Sequence, residues 1–161
     1  MNPKVELSQV VQTIREKFPE AITEERPAAI VIKKEALLAV AQFLKSGELA
    51  FDNLHCVTGV DWKDKMEVVY HLYSFKNRFM LTLKVFLSLE DLSVESLCGL
   101  WKSANWLERE TYDFFGIKFL NHPDPRRILN PDEWTDWPLR KNFDRPDFVR
   151  LPQSEGLKGG G

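Results

Sequence analysis

Apolar residues in the first third of the chain recur at helical spacing in two places, with a strand-like run between them. The first stripe predicts a helix that ends at Pro19, and the second predicts a helix from about Lys34 to Gly47. The first helix carries Leu7, Val10, Val11, Ile14 and Phe18, and the second carries Leu37, Val40, Ala41 and Leu44. The charged stretch 24–27 predicts a turn, and the apolar run 28–32 predicts a short strand.

Three strand-like segments follow at 51–62, 66–75 and 79–87. In the third, every second residue is apolar, which is the period of a strand with one buried face. In the first, the same period predicts one shared face for Leu54, Cys56, Thr58 and Val60. Because the connections at 63–65 and 76–77 are short and polar, we expect an antiparallel meander.

A last helical pattern runs from Val94 to about residue 115. Its apolar face consists of Leu97, Leu100, Trp101, Ala104, Leu107, Thr111 and Phe114. Arg109 and Asp113 fall mostly on other sides of the helix and are four apart, a spacing at which they can pair along it. Gly116 stands where a left-handed helix end needs glycine. The element order predicts an α+β fold, with helices packed on one face of a mainly antiparallel sheet.

Beyond Gly116 the chain is rich in proline, which excludes long helices and central strands. The same stretch keeps too many tryptophan, leucine, isoleucine and phenylalanine residues for a disordered segment. It must therefore lie on its own domain or on another protein. We predict an α+β domain at 1–115, an extended irregular subunit-docking segment at 116–155 and a mobile tail at 156–161. Residues 121–151 are expected to bury much of their apolar surface only in a complex.

Composition excludes several classes of function. With 161 residues, 43% hydrophobic residues and a net charge of −2, the chain is typical of one soluble globular domain without an anion-attracting field. Two cysteines are too few for an iron–sulfur cluster, and three scattered histidines do not suggest zinc. His122 precedes Pro123 and is expected to cap a turn through a ring nitrogen. We expect no catalytic, cofactor-binding or metal-binding residue in this chain.

The densest cluster of charges lies between residues 108 and 141, and three interpretations of it remain open. Its carboxylates could serve acid–base catalysis in a free-standing enzyme. Its basic and aromatic residues could bind single-stranded nucleic acid, although seven acidic residues offset the eight basic ones from Gly116 onward. Ion pairs between arginine and carboxylate in a scaffold or interface protein fit this composition best, and we expect Glu108, Glu110 and Asp113 to hold Arg126 and Arg127 in partly buried pairs. The residues singled out for such a structural or interface network are Glu108, Arg109, Glu110, Asp113, Gly116, His122, Pro123, Arg126, Arg127, Trp137, Leu139, Arg140 and Lys141.

Three motifs within this cluster carry a family resemblance. The stretches E-R-E-T-Y-D-F-F-G-I-K-F, H-P-D-P-R-R-I-L and W-P-L-R-K-N-F resemble the 30-kDa subunit family, also called the C subunit, of respiratory NADH–quinone oxidoreductase, complex I. The resemblance covers roughly residues 50 to 143 and includes Leu54, Thr58, Asp61, Trp62, the triplet 70–72 and the triplet 104–106. Two positions depart from the family pattern, because Pro125 replaces leucine and Asn142 replaces aspartate.

The resemblance implies a cofactor-free scaffold subunit of the peripheral arm. It implies contact with subunits B and D, which belong to the iron–sulfur and quinone modules. The complex would lie on the cytoplasmic side of the inner membrane, and this chain would reach the membrane only through its partners. Flavin, iron–sulfur clusters and quinone would reside in those partners, and electron transfer to quinone would be coupled to proton translocation. The alternative is the equivalent subunit of a related complex that uses ferredoxin or reduced deazaflavin, or of a membrane-bound hydrogenase.

Overall fold

Five strands form the central sheet of the computed structural model, which describes residues 5–144. Residues 145–155 of the predicted docking segment and the predicted mobile tail at 156–161 lie outside the described residues. The elements are α1 Leu7–Lys17, β1 Ile22–Arg26, β2 Ala29–Ile32, a short 3₁₀ turn Lys34–Ala36, α2 Leu37–Ser46, β3 Asn53–Asp61, β4 Lys65–Ser74, β5 Phe79–Ser88, β6 Ser93–Glu95, α3 Ala104–Phe115 and β7 Lys118–Leu120.

The sheet has the order β1-β2-β5-β4-β3. Strands β3, β4 and β5 form the predicted antiparallel meander, and β2 lies parallel to β5 with Ile30 opposite Leu83. The prediction of a turn at 24–27 was wrong in part, because residues 22–26 form edge strand β1. Three of its five side chains are exposed, so the strand lacks the apolar alternation by which a strand is recognised in sequence.

Strand β3 contains a bulge that reverses the predicted faces of its second half. Leu54 pairs with Leu72, but the register shifts before Cys56, and Val57 and Gly59 then face the core. The prediction that Leu54, Cys56, Thr58 and Val60 share one face was therefore wrong. One extra residue in a strand exchanges the two faces, because side chains alternate with period two.

The core lies between one face of the sheet and the three helices, as predicted. Helix α1 buries Val10, Val11 and Ile14 there, and α2 buries all four apolar residues of its predicted stripe. Each of the buried valine, leucine and isoleucine side chains contributes roughly 1.5–3 kcal/mol on burial, so this layer contributes strongly to the stability of the fold. Within the described range, none of the helices combines the length and apolarity that a membrane span needs.

Helix α3 begins later than the pattern from Val94 predicted. Residues 93–95 form β6, which pairs in parallel with β7, and turns occupy the stretch up to Ala104. Leu97 and Trp101 are buried all the same, because successive turns repeat the helical spacing of the apolar residues. The helix ends at Gly116, which is left-handed at φ 71° as predicted.

Candidate functional site

Asp113 anchors residues 127–130 of the C-terminal segment. Its side chain is fully buried at the end of α3. Oδ1 accepts hydrogen bonds from the guanidinium of Arg127 at 2.8 Å and from the side-chain amide of Asn130 at 3.0 Å. Oδ2 accepts from the backbone N–H groups of Ile128, Leu129 and Asn130 at 3.1, 2.7 and 3.0 Å. One carboxylate thus fixes four consecutive residues of a segment that has no backbone ladder of its own.

These contacts determine the charge of Asp113. Burial alone raises the pKa of a carboxyl group, but the backbone and side-chain donors from Asn130, Arg127 and Leu129 outweigh it and hold the pKa of Asp113 well below its usual range. Asp113 therefore remains ionised at every physiological pH. A group that cannot take up a proton there does not suit general acid–base catalysis.

Arg109 anchors the preceding turn from the same helix. Its guanidinium donates to the carbonyl oxygens of Arg126 at 2.9 Å and Arg127 at 3.2 Å, and it lies 3.3 Å from the carboxylate of Asp124. Arg109 and Asp113 do not form the pair that their spacing allows, because each binds the segment that covers this side of α3. Sequence spacing along a helix does not reveal that such a cover exists.

Trp137 packs over the end of α3 between two arginines. The guanidinium carbons of Arg127 and Arg140 lie 4.3 and 5.6 Å from its ring, and Tyr112 meets it edge-on at 5.2 Å between ring centroids. Trp137 also lies so close to Gly116 that a β-carbon there would approach it to 2.5 Å. Gly116 is therefore required by its left-handed backbone and also by the tryptophan that covers it.

The last described residues of the segment bind the main body at three further points. Leu139 N–H donates to Phe114 O at 3.2 Å, Arg140 Nε to Phe115 O at 2.6 Å, and Lys141 N–H to Asp61 Oδ2 at 2.8 Å. These contacts hold the segment up to residue 144 against its own domain, and the expectation that it buries much of its apolar surface only in a complex stays a prediction. Leu129 and Leu139 nevertheless remain 63% and 54% exposed.

Glu108 is the other carboxyl group of α3 that is fully buried. It accepts hydrogen bonds from Ser96 Oγ at 2.6 Å and Leu97 N–H at 2.7 Å, with Cys98 Sγ at 3.5 Å. Burial nevertheless raises the pKa of Glu108 to about 7, since no cationic side chain within residues 5–144 pairs with it closely. Glu108 thus binds the turn before α3, and its Oε2 lies 3.9 Å from Nε2 of His122 in the segment after the helix.

Cys98, Glu108 and His122 place potential metal-ligand atoms within 4.8 Å of one another. Sequence reasoning missed this convergence, because nothing in the spacing of residues so far apart signals it. The hydrogen bonds argue against a metal there. Nδ1 of His122 accepts from Asp124 N–H at 3.0 Å, so the proton lies on Nε2, which donates to Asn105 O at 3.1 Å.

The remaining predicted residues divide between the network and the surface. His122 caps the turn at Asp124 through its ring, as predicted. Pro123 is exposed, and exposed Arg126 pairs with Asp124. Glu110 is exposed and forms no ion pair within residues 5–144, so its predicted part in the ion-pair network was wrong. The interface role of the whole set stays a prediction.

In sequence, the family model and the individual relatives point to the same family of respiratory subunits. Residues 30–149 match the family described as respiratory-chain NADH dehydrogenase, 30 Kd subunit. The chain is 38% identical to the C subunit of the NADH-quinone oxidoreductase of Geotalea uraniireducens, over 99% of this chain and 98% of that protein. It is 39% identical to the C subunit of the F(420)H(2) dehydrogenase of Methanosarcina mazei, over 84% of this chain and 90% of that one.

Two solved structures share the fold. A trypsin-resistant fragment of Nqo5 superposes with a TM-score of 0.61 at 30% identity, covering 73% of this chain and 98% of the fragment. A chain of an archaeal respiratory membrane complex, the membrane-bound sulfane sulfur reductase, superposes with a TM-score of 0.71 at 26% identity, covering 85% of each chain.

Proposed function

The chain belongs to the 30-kDa subunit family of the respiratory-chain NADH dehydrogenase, and from this membership we propose that it is a non-catalytic scaffold subunit of NADH-quinone oxidoreductase. The observation that carries the proposal is 38% identity to a relative of that name along nearly the whole of both chains. In this role the chain holds neighbouring subunits in the geometry that electron transfer to quinone requires, and it carries no redox centre itself.

The state of the acidic residues on α3 supports a non-catalytic role. Asp113 is ionised and takes up donors on both oxygens, whereas Glu108 is enclosed beside Ser96 and His122. Glu110 lies on the surface apart from both. Acid–base catalysis by a carboxylate pair needs two groups that reach one substrate. Here each carboxylate has a different environment, and the two that are buried serve as structural anchors.

The surface of the anchored segment supports a docking role. Trp106, Leu129 and Leu139 are each more than half exposed, while the backbone beneath the two leucines is held by Asp113 and Phe114. Apolar side chains presented on a fixed backbone lose little conformational entropy when a partner covers them. We expect the partners to be subunits B and D, on the cytoplasmic side of the inner membrane, with flavin, iron–sulfur clusters and quinone held by other subunits.

Affinity purification of a tagged chain from detergent-solubilised membranes tests the assembly. We expect subunits B and D, identified by mass spectrometry, to co-purify in stoichiometric amounts. Recovery of the chain without any respiratory-complex subunit would refute the proposal.

The non-catalytic role needs a separate measurement, namely quinone reductase activity divided by assembled complex on a native gel. Arg127→Ala leaves buried Asp113 without its cation, so less complex should assemble while turnover per complex stays near that of the parent. A catalytic role predicts normal assembly and a loss of about two to four orders of magnitude in turnover.

A variant of this proposal keeps the scaffold role but changes the electron donor. The similarity to the F(420)H(2) dehydrogenase chain of Methanosarcina mazei favours it, because the identity of 39% slightly exceeds the 38% to the NADH-linked relative, although the aligned region is shorter. Assays of the purified complex with NADH and with reduced deazaflavin as donors distinguish the two.

A further inference from the structure

A cavity of about 390 Å³ opens where the end of the described segment crosses the hairpin between β3 and β4. This cavity is separate from the contacts of Asp113, because none of the residues that donate hydrogen bonds to Asp113 lines it. Its walls combine apolar and basic residues. The apolar wall is formed by Met66, Leu89 and Leu92, and the basic wall by Lys63, Arg140 and Lys141.

Asp61 fixes the geometry of the basic wall. Its Oδ1 accepts the backbone N–H of Lys63 at 2.7 Å, and its Oδ2 accepts the backbone N–H of Lys141 at 2.8 Å. One carboxylate thereby holds the hairpin and the segment together, with both lysine side chains at the same opening. Asp61 is 8% exposed, so it contributes little surface to any ligand.

The positive charge of the cavity is not balanced within the described chain. Lys63, Arg140 and Lys141 face a single carboxylate, that of Asp61, among the lining residues. None of the three cations has a carboxylate within 4 Å in residues 5–144. Asp64 and Glu90 are neighbours in sequence, but neither lines the cavity. The cavity therefore has an excess of about two positive charges.

Among the lining residues, Arg140 gives the strongest indication that the cavity binds an anion. Its Nε is committed to Phe115 O, while its two terminal nitrogens donate no hydrogen bond within residues 5–144. The side chain is half-buried against Trp137, and burial lowers its pKa although Asp61 acts in the opposite direction. A partly desolvated guanidinium with free donors gains two parallel hydrogen bonds when it meets a carboxylate.

We propose that this cavity binds an acidic side chain, Asp or Glu, of a partner subunit. The inference rests on the proposed function, because it requires an assembled complex. Trp62 and Leu89 at the rim are each 47% exposed, and Lys141 lies 6.0 Å from the Trp62 ring. Apolar neighbours of the acidic residue would cover this rim, which gives a central charge pair inside an apolar border.

Carbodiimide coupling in the purified complex tests the contact directly, because it joins a lysine amine to a carboxylate only where the two are in contact. We expect peptides in which Lys63 or Lys141 is joined to an Asp or Glu of another subunit. Exposed Lys76, on the distant β4–β5 turn, is the control for background coupling. Coupling to a carboxylate within residues 144–161 of this chain would overturn the proposal, as would coupling no greater than at Lys76.

Neutralising the lysines provides the second test. In membranes carrying Lys63→Gln together with Lys141→Gln, we expect the chain to be released by salt at lower concentration, with about tenfold weaker association. Lys76→Gln should behave like the parent chain. Parent-like retention of the double variant overturns this contact but leaves the scaffold role intact, whereas failure of the parent chain to co-purify with any subunit overturns both.

Discussion

Replacing Asp113 by Asn tests whether one carboxylate anchors the C-terminal segment. An asparagine can present an oxygen to only one of the two donor sets that Asp113 satisfies. If the oxygen faces the backbone N–H groups of residues 128–130, the new amide N–H groups face the Arg127 guanidinium, donor against donor. The side chain of Arg127 is only 7% exposed, so its charge would be left uncompensated in the interior.

Breaking a buried ion pair by removing one partner costs about 3–5 kcal/mol. The loss falls on the docking of the segment and not on the core, since α1, α2 and the sheet do not contact Asp113 through any hydrogen bond. At about 1.4 kcal/mol per tenfold change, local opening should become roughly two to four orders of magnitude more frequent.

Hydrogen exchange of the amides at 128–130, together with trypsin cleavage after Arg126 and Arg127, measures this opening. Both should accelerate in Asp113→Asn while exchange in β4 and β5 stays at the parent rate. Glu110→Gln, on the exposed side of the same helix, is the matched control and should change stability by less than about 0.5 kcal/mol. Parent-like exchange at 128–130 in Asp113→Asn would refute the anchoring role, and equal acceleration throughout the core would refute its local character.

Three further predictions concern glycine, a buried acid and metal. Gly116→Ala should lower the free energy of unfolding by about 1–3 kcal/mol in urea denaturation, because a β-carbon at φ 71° meets Trp137, whereas Gly99→Ala meets nothing within 4 Å. The pKa of Glu108 is raised from 4.5 to about 7, so the stability it contributes declines as pH rises through that range. Glu108→Gln should therefore match the parent at about pH 4 and exceed it by roughly 3 kcal/mol at about pH 8, and a gap independent of pH would contradict this. Elemental analysis of the purified chain should find no stoichiometric zinc or iron, and one equivalent that is lost in His122→Ala would show otherwise.

Helices α1 and α2 and the strands of the meander could be predicted from sequence. In each of them, one face is buried, so apolar residues recur with the period of the helix or strand. Leu37, Val40, Ala41 and Leu44 repeat at helical spacing since a single face of α2 is buried. Strand β1 and the bulge in β3 could not be predicted in this way. An exposed edge strand has no apolar alternation, and a bulge changes the register without changing the composition.

The candidate site was only partly predictable for a similar reason. The abundance of arginine and carboxylate between residues 108 and 141 indicated a charge network, and the left-handed glycine at 116 could be placed at the end of α3. The division of roles among the carboxylates was not predictable. Glu108, Glu110 and Asp113 were all expected to hold Arg126 and Arg127, and within residues 5–144 only Asp113 of the three binds one of these arginines, Arg127. Glu108 instead binds Ser96 and the backbone of Leu97, and Asp113 also binds the backbone of residues 128–130.

The sequence by itself determined the fold class, the order of the main elements and the family. Hydrophobic periodicity depends only on residues close together in the chain, and motif order can be read directly from the sequence. Only the tertiary structure decided which side of α3 is covered. That cover buries Glu108, Arg109 and Asp113 but leaves Glu110 in solvent. It likewise brought Asp61 beside Lys141, eighty residues later. Contacts between segments far apart in the chain depend on how the whole fold closes, and the spacing of residues along one segment carries no record of it.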